Sequence, residues 1–161
     1  MTIEITRTGR REWTLTAVCR IEKPRDEVFP FFADASNLER ITPKAVRFRI
    51  LTPRPIEMRE GAIIDYALRI KGIPLRWRTE ITAWDPPNRF ADSQIRGPYH
   101  LWEHTHTFEE SDDGAATIMT DTVRYSPRGG AIINRLFVER DVRRIFEHRN
   151  RVIGQIFAGG A

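Results

Sequence analysis

The sequence predicts an α+β fold in which a curved, mainly antiparallel sheet of seven strands packs around a long C-terminal helix. One observation is an apolar stripe with steps of three, four and seven over residues 129–157, which is typical of one amphipathic helix. Another is a series of short segments in which apolar and polar residues alternate between turn signals. Because so long an apolar face needs a surface to pack against, we expect the strands to supply it within one domain, residues 1–161.

The long helix has clear limits in the sequence. Pro127 and the glycines at 129–130 precede it, and Gly159 follows its last apolar residues. Its polar side carries arginines interleaved with acids, which we interpret as a solvated face. The first turns are instead apolar nearly all round, at Ala131, Ile132, Ile133, Leu136, Phe137 and Val138. This stretch is either buried, a gate at a cavity mouth, or the contact surface of a homodimer, and a monodisperse monomer would exclude the last.

The remaining elements follow in a simple order. A first strand spans residues 13–22, and a short helix begins near Pro24 and is limited or bent by Pro30. A second short helix spans residues 34–41 and stops before Pro43. Six further strands are predicted at residues 46–51, 62–71, 75–84, 89–96, 99–110 and 115–125. Short turns between consecutive strands favour an antiparallel meander.

Composition excludes several classes of protein. The chain has 161 residues and a single cysteine, Cys19, so no internal disulfide can form and a reducing, cytoplasmic location is the simpler expectation. No apolar run is long enough to span a membrane, and the N-terminus lacks the layout of a secretory signal. The net charge of +4 is spread among interleaved acids and bases, so we expect no nucleic-acid partner.

The order of these elements resembles the helix-grip fold of the START and Bet v 1-like superfamily, also called SRPBCC proteins. Three stretches resemble its small bacterial ligand-binding members: residues 23–43 (KPRDEVFPFFADASNLERITP), 97–108 (GPYHLWEHTHTF) and 143–149 (RRIFEHR). The resemblance runs from about residue 13 to 157. It implies an internal cavity between the sheet and the long helix, open near the short helices. It does not name the ligand, because this superfamily contains lipid carriers, hormone receptors, polyketide cyclases and aromatases.

The hairpin of residues 99–125 carries the most chemistry. Alternation places His104, His106 and Asp121 on the side that also carries large apolar residues, so we expect all three to point inward. A hairpin that closes at residues 112–113 brings His104 next to Asp121, whereas a slip of one residue would separate them. The two side chains have three possible roles. They satisfy only each other's hydrogen-bonding groups within the sheet, they line a ligand cavity, or they act as acid and base. We name no firm catalytic residue; His104 and Asp121 are the weak candidates.

The predicted ligand contacts are the inward aromatic, apolar and polar residues of the sheet and helix. They are Tyr66, Trp77, Asp92, Gln94, Trp102, His104, His106, Met119, Asp121, Tyr125 and Phe146. The strand at 89–96 admits a second orientation, with Ala91, Ser93 and Ile95 inside, and the sequence does not choose firmly between the two.

No cofactor is predicted. The chain contains no Gly-x-Ser-x-Gly, Gly-x-Gly-x-x-Gly or P-loop string, so nucleotides and a serine nucleophile are not indicated. The His-x-His pair at 104 and 106 can bind a metal when a carboxylate supplies a third ligand, but two histidines alone are a weak signal and we predict no metal. Cys19 is interpreted as a buried structural thiol.

The preferred interpretation is a binding protein, without required catalysis, for a hydrophobic or amphipathic small molecule of lipid- or polyketide-like character. The alternative is an enzyme of the cyclase or aromatase kind, in which His104 paired with Asp121 acts as general base. A protein-interaction module acting through the apolar start of the long helix is a third hypothesis.

Overall fold

The computed structural model describes residues 2–159 and contains, within them, eight strands and four α-helices. The strands are β1 Thr2–Arg7, β2 Trp13–Ile21, β3 Arg49–Ile50, β4 Ile63–Ile70, β5 Ile73–Asp85, β6 Arg89–Arg96, β7 Tyr99–Glu110 and β8 Thr117–Pro127. The helices are α1 Arg25–Ala33, α2 Leu38–Ile41, α3 Gly130–Ile133 and α4 Glu139–Ala158. Short 3₁₀ turns occur at Ala35–Asn37 and Lys44–Val46.

All eight strands form one sheet in the order β1-β2-β8-β7-β6-β5-β4-β3, and every neighbouring pair is antiparallel. The curved sheet and the long C-terminal helix confirm the predicted α+β fold. The close pairing of β4 to β8 follows from their short turns, since a tight turn returns the chain beside the strand it has just left.

The sheet has one strand more than the seven predicted. The additional strand β1 lies at the sheet edge, where only Ile3 and Ile5 alternate with polar residues, so its apolar signal is weak. The opposite edge strand, β3, is much shorter than the predicted segment 46–51. Arg47 adopts a left-handed backbone with φ of 47°, which ends a 3₁₀ turn where the strand was expected to begin.

The long helix contains an unpredicted irregularity. A π-helical turn at Asn134–Val138 separates α3 from α4, and it buries Asn134. The glycine pair before it has φ values of 95° and 65°, which explains why glycines begin this element. Ile132, Leu136 and Phe137 are exposed, so the expectation that this stretch is buried is wrong for these side chains. The gate and the homodimer contact stay predictions.

The helix packs over one half of the sheet. Val142 and Phe146 of α4 join Leu15 of β2 and Val123 and Tyr125 of β8 in one apolar cluster. A second cluster joins α1, β7, β8 and α4 through Phe29, Phe32, Phe108, Met119 and Ile153. Arg143 ties the helix to the sheet edge by donating a 3.0 Å hydrogen bond to the carbonyl oxygen of Ile3. No helix within residues 2–159 is long and apolar enough to cross a membrane.

Candidate functional site

The other half of the sheet faces a cavity of about 980 Å³ between β4–β7, α2 and the long helix. Its wall is mostly apolar, because the inward residues of β4 and β5 are Ile64, Tyr66, Leu68, Ile70, Leu75, Trp77, Thr79 and Ile81. Exposed Ala45, beside the short helices, and exposed Ile73, in the β4–β5 hairpin, also line it. A cavity of this size and character is typical of small-molecule sites.

The β4–β5 turn also touches the beginning of the long helix. The Lys71 ammonium lies 4.1 Å from the ring centroid of Phe137 and 3.3 Å from a carboxylate oxygen of Asp141. Lys71 and Asp141 both line the cavity, so these contacts border it on this side.

Strands β6 and β7 bring the polar groups of the cavity together. Asp92 of β6 lies opposite His104 of β7, and His106 lies opposite Asp121 of β8. Since alternate residues share one face, His104 and His106 point the same way, with ring centroids 3.8 Å apart. Both imidazoles are at most 7 % exposed and line the cavity.

Asp121 contacts both histidines and does not itself line the cavity. Its Oδ1 atom lies 3.0 Å from Nε2 of His104 and 2.7 Å from Nδ1 of His106. A carboxylate only accepts hydrogen bonds, so Nε2 of His104 carries the hydrogen of its bond to an ionised Asp121, and Nδ1 of His104 is free to accept a proton or to bind a ligand when that ring is neutral. Nδ1 of His106 lies between Asp121 and a guanidinium nitrogen of Arg149, which can only donate, so Nε2 of His106 is free in the same way only in the tautomer whose hydrogen is on Nδ1.

Those two nitrogens face the carboxylate of Asp92. Its Oδ2 atom is 3.9 Å from Nδ1 of His104 and 3.6 Å from Nε2 of His106, beyond direct hydrogen-bond distance. The Asp92 side chain is 17 % exposed and lines the cavity. Of the two orientations left open for β6, the structure has the one with Asp92 inward.

Arg149 of α4 completes the cluster and was missed by the sequence analysis, which treated the helix arginines as solvated. It is 7 % exposed, lines the cavity, and places Nη2 3.3 Å from Nδ1 of His106 and 3.5 Å from Oδ1 of Asp121. Its Nε atom has no hydrogen-bond partner among residues 2–159. The signal was its spacing, three residues after Phe146 and four before Ile153, which puts it on the apolar stripe.

Burial and charge set the protonation of this cluster. Desolvation, reinforced by neighbouring His106, lowers the pKa of His104 to about 4 despite the hydrogen bond to Asp121. Burial alone would raise the pKa of Asp121, but Arg149, His106 and the histidine hydrogen bonds together hold it well below its usual value. At neutral pH the site therefore contains a neutral His104 over an ionised Asp121.

The structure gathers seven of the eleven predicted contact residues around the cavity: Tyr66, Trp77, Asp92, Trp102, His104, His106 and Phe146. The other four lie elsewhere. Met119 and Tyr125 are packed in the two apolar clusters, and Asp121 lies behind the histidines. Gln94 is turned to the β6–β7 connection, where its side chain donates to the carbonyl oxygen of Tyr99 at 2.9 Å.

The arrangement can do three things chemically. An apolar wall can bury the hydrocarbon part of a ligand, and Arg149 can pair with an anionic end. A neutral imidazole backed by a carboxylate can take up a proton. Two imidazole nitrogens and a carboxylate can also serve together as ligands to a cation.

Solved structures with the same fold span almost the whole chain. The protein Ms6760 from Mycobacterium smegmatis matches with a TM-score of 0.70 and 18% identity, over 99% of this chain and 100% of that one. The Zhui aromatase/cyclase from Streptomyces sp. R1128 matches with a TM-score of 0.71 and 16% identity, over 91% and 94%. The major latex-like protein 151 from Panax ginseng matches with a TM-score of 0.66 and 14% identity, over 91% and 98%.

These identities establish the fold alone, which is the helix-grip, Bet v 1-like fold that the sequence resembles. No curated protein sequence matches the chain. The family is established instead by a model described as "Polyketide cyclase / dehydrase and lipid transport", which matches residues 21–149. That match includes the whole of β6, β7 and β8 and ends at Arg149, and the chain is therefore a member of the polyketide cyclase/dehydrase and lipid transport family.

Proposed function

We propose that the protein binds a hydrophobic or amphipathic small molecule, lipid- or polyketide-like, in the cavity between the sheet and the long helix. The observation that carries this proposal is a largely apolar cavity of about 980 Å³ with one cluster of buried polar groups in its wall. Removal of ligand surface from water would provide the driving force, at about 25 cal/mol for each Å² before the costs of ordering.

The polar cluster would orient the ligand. Arg149 is the one cation of the cluster whose charge does not depend on pH, and its Nε atom is buried without a partner in the part of the chain that the structure describes. A ligand with a carboxylate or enolate oxygen near Arg149 would satisfy that donor, and its apolar part would lie against Trp77 and Trp102. Family membership supports the same ligand class, since the family name includes lipid transport.

The test is a thermal-shift screen with fatty acids, lysolipids and aromatic polyketide-like compounds, together with native mass spectrometry of what co-purifies. Ile145→Trp fills the cavity from α4, whereas Ile95→Trp adds the same group at a position that is 54 % exposed. We expect ligands to raise the Tm of the wild type and of Ile95→Trp, but not of Ile145→Trp. A broad apolar library that leaves the wild-type Tm unchanged would contradict the proposal.

The anionic end can be tested separately. Arg149→Met keeps an unbranched apolar stem and removes the guanidinium group, with its charge and donors. We expect the affinity for a carboxylate-bearing ligand to fall about tenfold or more, because a charge-assisted hydrogen bond contributes roughly 1.5–3 kcal/mol. The affinity for the matching neutral alcohol should change little. Equal losses for acid and alcohol would show that Arg149 acts through packing alone.

The second candidate function is a cyclase-type reaction, and the His104–Asp121 geometry favours it. Nδ1 of His104 faces the cavity while Nε2 bonds to Asp121, so the ring could remove a proton from a carbon between two carbonyl groups. Hydrogen–deuterium exchange at that carbon in a β-ketothioester would report this step. His104→Ala should abolish the accelerated exchange and leave the fold and ligand binding largely intact. Exchange at the wild-type rate in His104→Ala would exclude this function.

We further propose a cytoplasmic location, supported by the single cysteine, which needs no oxidising compartment. Fractionation of the producing cells with antibody detection tests it, and recovery outside the cytoplasmic fraction would contradict it.

A further inference from the structure

We propose that Asp92, His104 and His106 form a binding site for a divalent transition-metal ion, with Zn²⁺ as the reference ion, in the wall of the cavity. The sequence contains the two histidines but does not identify a third ligand, so no metal was predicted from it. The structure supplies that ligand from the neighbouring strand β6. The proposal goes beyond the binding of an apolar molecule and does not depend on it.

The distances suit an ion held between the three side chains. One nitrogen of each histidine and one carboxylate oxygen of Asp92 all lie within 4.8 Å of one another. Oδ2 of Asp92 is 3.6 Å from His106 and 3.9 Å from His104. Ligands about 2.1 Å from a tetrahedral Zn²⁺ ion are separated by about 3.4 Å. The two carboxylate–nitrogen distances would therefore shorten by a few tenths of an ångström, and a separation at the 4.8 Å limit of the cluster would shorten by about 1.4 Å.

The groups behind the histidines support the same interpretation. In metal sites a histidine that binds through one nitrogen usually donates its other N–H to a carboxylate, which fixes the tautomer and the ring orientation. Asp121, which is 1 % exposed, accepts this bond from Nε2 of His104 at 3.0 Å, and its Oδ1 atom also lies 2.7 Å from Nδ1 of His106. Nδ1 of His104 and Nε2 of His106, the nitrogens away from Asp121, lie on the side of Asp92, and metal binding through Nε2 of His106 requires the tautomer with the hydrogen on Nδ1.

The rings are also held on their other sides. His106 stacks on Phe90 with centroids 4.1 Å apart, and His104 meets the edge of Phe146 at 5.6 Å. These contacts restrict ring rotation before any ion arrives, so little side-chain entropy remains to be lost on binding.

Charge favours a cation at this position. Asp92 and Asp121 bring two carboxylates to the cluster, and Arg149 is the one permanent cation against them in the contacts described. The carboxylates therefore outnumber the permanent cations by one, at a position largely removed from water. A divalent ion reverses that excess, and its remaining coordination positions face the cavity, where water or a ligand oxygen can fill them.

The experiment is a titration of chelator-treated protein with Zn²⁺ by calorimetry, with Co²⁺ absorption as an independent report of the ligand set. Asp92→Ala and His106→Ala remove ligands, while Asp112→Ala and His100→Ala remove the same groups from exposed positions. We expect one ion per chain for the wild type and both controls. Loss of a direct ligand should weaken binding beyond the roughly 10- to 100-fold range known for outer-shell changes, and Asp121→Asn should fall within that range.

Circular dichroism checks that each variant is folded. If Asp92→Ala does not fold, Asp92→Asn is used in its place. Failure of the wild type to bind Zn²⁺ saturably would overturn the proposal. Equal affinity in the wild type and Asp92→Ala, or loss of binding in His100→Ala, would also overturn it by locating the ion elsewhere. The apolar-ligand screen is run on chelator-treated protein, so its result stands whether or not the metal site does.

Discussion

Strands β7 and β8 are neighbours with the same alternation, yet three inward residues of β7 lie in different surroundings from the inward residues of β8. Trp102, His104 and His106 of β7 line the cavity. Met119 and Tyr125 of β8 lie in the apolar clusters that include residues of α4. The difference arises because the long helix packs over the β1, β2 and β8 half of the sheet. Period-two patterning therefore identifies the inner face of a sheet but not which part of that face is covered.

The largest expected loss of stability is for Asp121→Ala in β8, a strand that the long helix covers. We expect the free energy of unfolding to fall by about 3–5 kcal/mol, because Arg149, His104 and His106 lose the carboxylate that they share at a buried position. Urea denaturation measures the change. Thr122→Ala, at the next residue on the opposite face, is the control and should cost far less. A loss below about 1 kcal/mol for Asp121→Ala would show that this cluster is not needed for the fold.

Two apolar truncations, one in a packed cluster and one in the cavity wall, test whether the two regions differ in packing. Met119→Ala, at a position 1 % exposed in a packed cluster, should cost about 2–5 kcal/mol of unfolding free energy. Leu75→Ala, in the half-buried wall of the cavity, should cost clearly less, because its side chain already lacks neighbouring atoms on one side.

The two truncations should also differ in ligand binding. Leu75→Ala is expected to lower the Tm increase that apolar ligands produce, whereas Met119→Ala should leave that increase unchanged. Equal costs in unfolding free energy for both substitutions would mean that the cavity is closed and packed in solution.

The smallest expected effect concerns the thiol of Cys19, on strand β2 in the half of the sheet that the long helix covers. Burial raises the pKa of Cys19 to about 11 from an ordinary value of 9.0, so the reactive thiolate is roughly 100-fold rarer at pH 8. Reaction with a disulfide reagent should be slow in the folded protein and fast in urea. Saturating apolar ligand should leave the slow rate unchanged, since Cys19 does not line the cavity. Fast labelling of the native protein would contradict the packing of β2.

The elements that can be predicted from the sequence are those whose patterns are local. The bounds of β6 and β7 agree with the predicted 89–96 and 99–110, because alternation and flanking turns specify them. The edge strand β1 was not predicted, because its two isoleucines give only a short alternation of apolar and polar residues. The π-helical turn has no such local signal, because the helical stripe continues through it.

The site depends on contacts between elements, and its composition was therefore predicted less well. The inward direction of the two histidines and Asp121 can be predicted from alternation along one hairpin. In the structure His104 is hydrogen-bonded to Asp121, although His106 is the residue directly opposite Asp121 in the strand register. The approach of Asp92 depends on the β6–β7 pairing, for which the sequence left two orientations. Arg149 reaches the cluster from a helix far along the chain, and only its place on the apolar stripe distinguishes it from the exposed arginines.

The contacts of Lys71 with Phe137 and Asp141 have a kinetic consequence. A molecule that passes between the hairpin and the helix at that point must first separate the ammonium group from the ring and from the carboxylate. Half of the Lys71 side chain is exposed to solvent, so dissolved salt competes for its charge directly. Ionic strength would then govern how fast such a molecule enters and leaves by this route, whereas its affinity at equilibrium would be set by the cavity wall and Arg149.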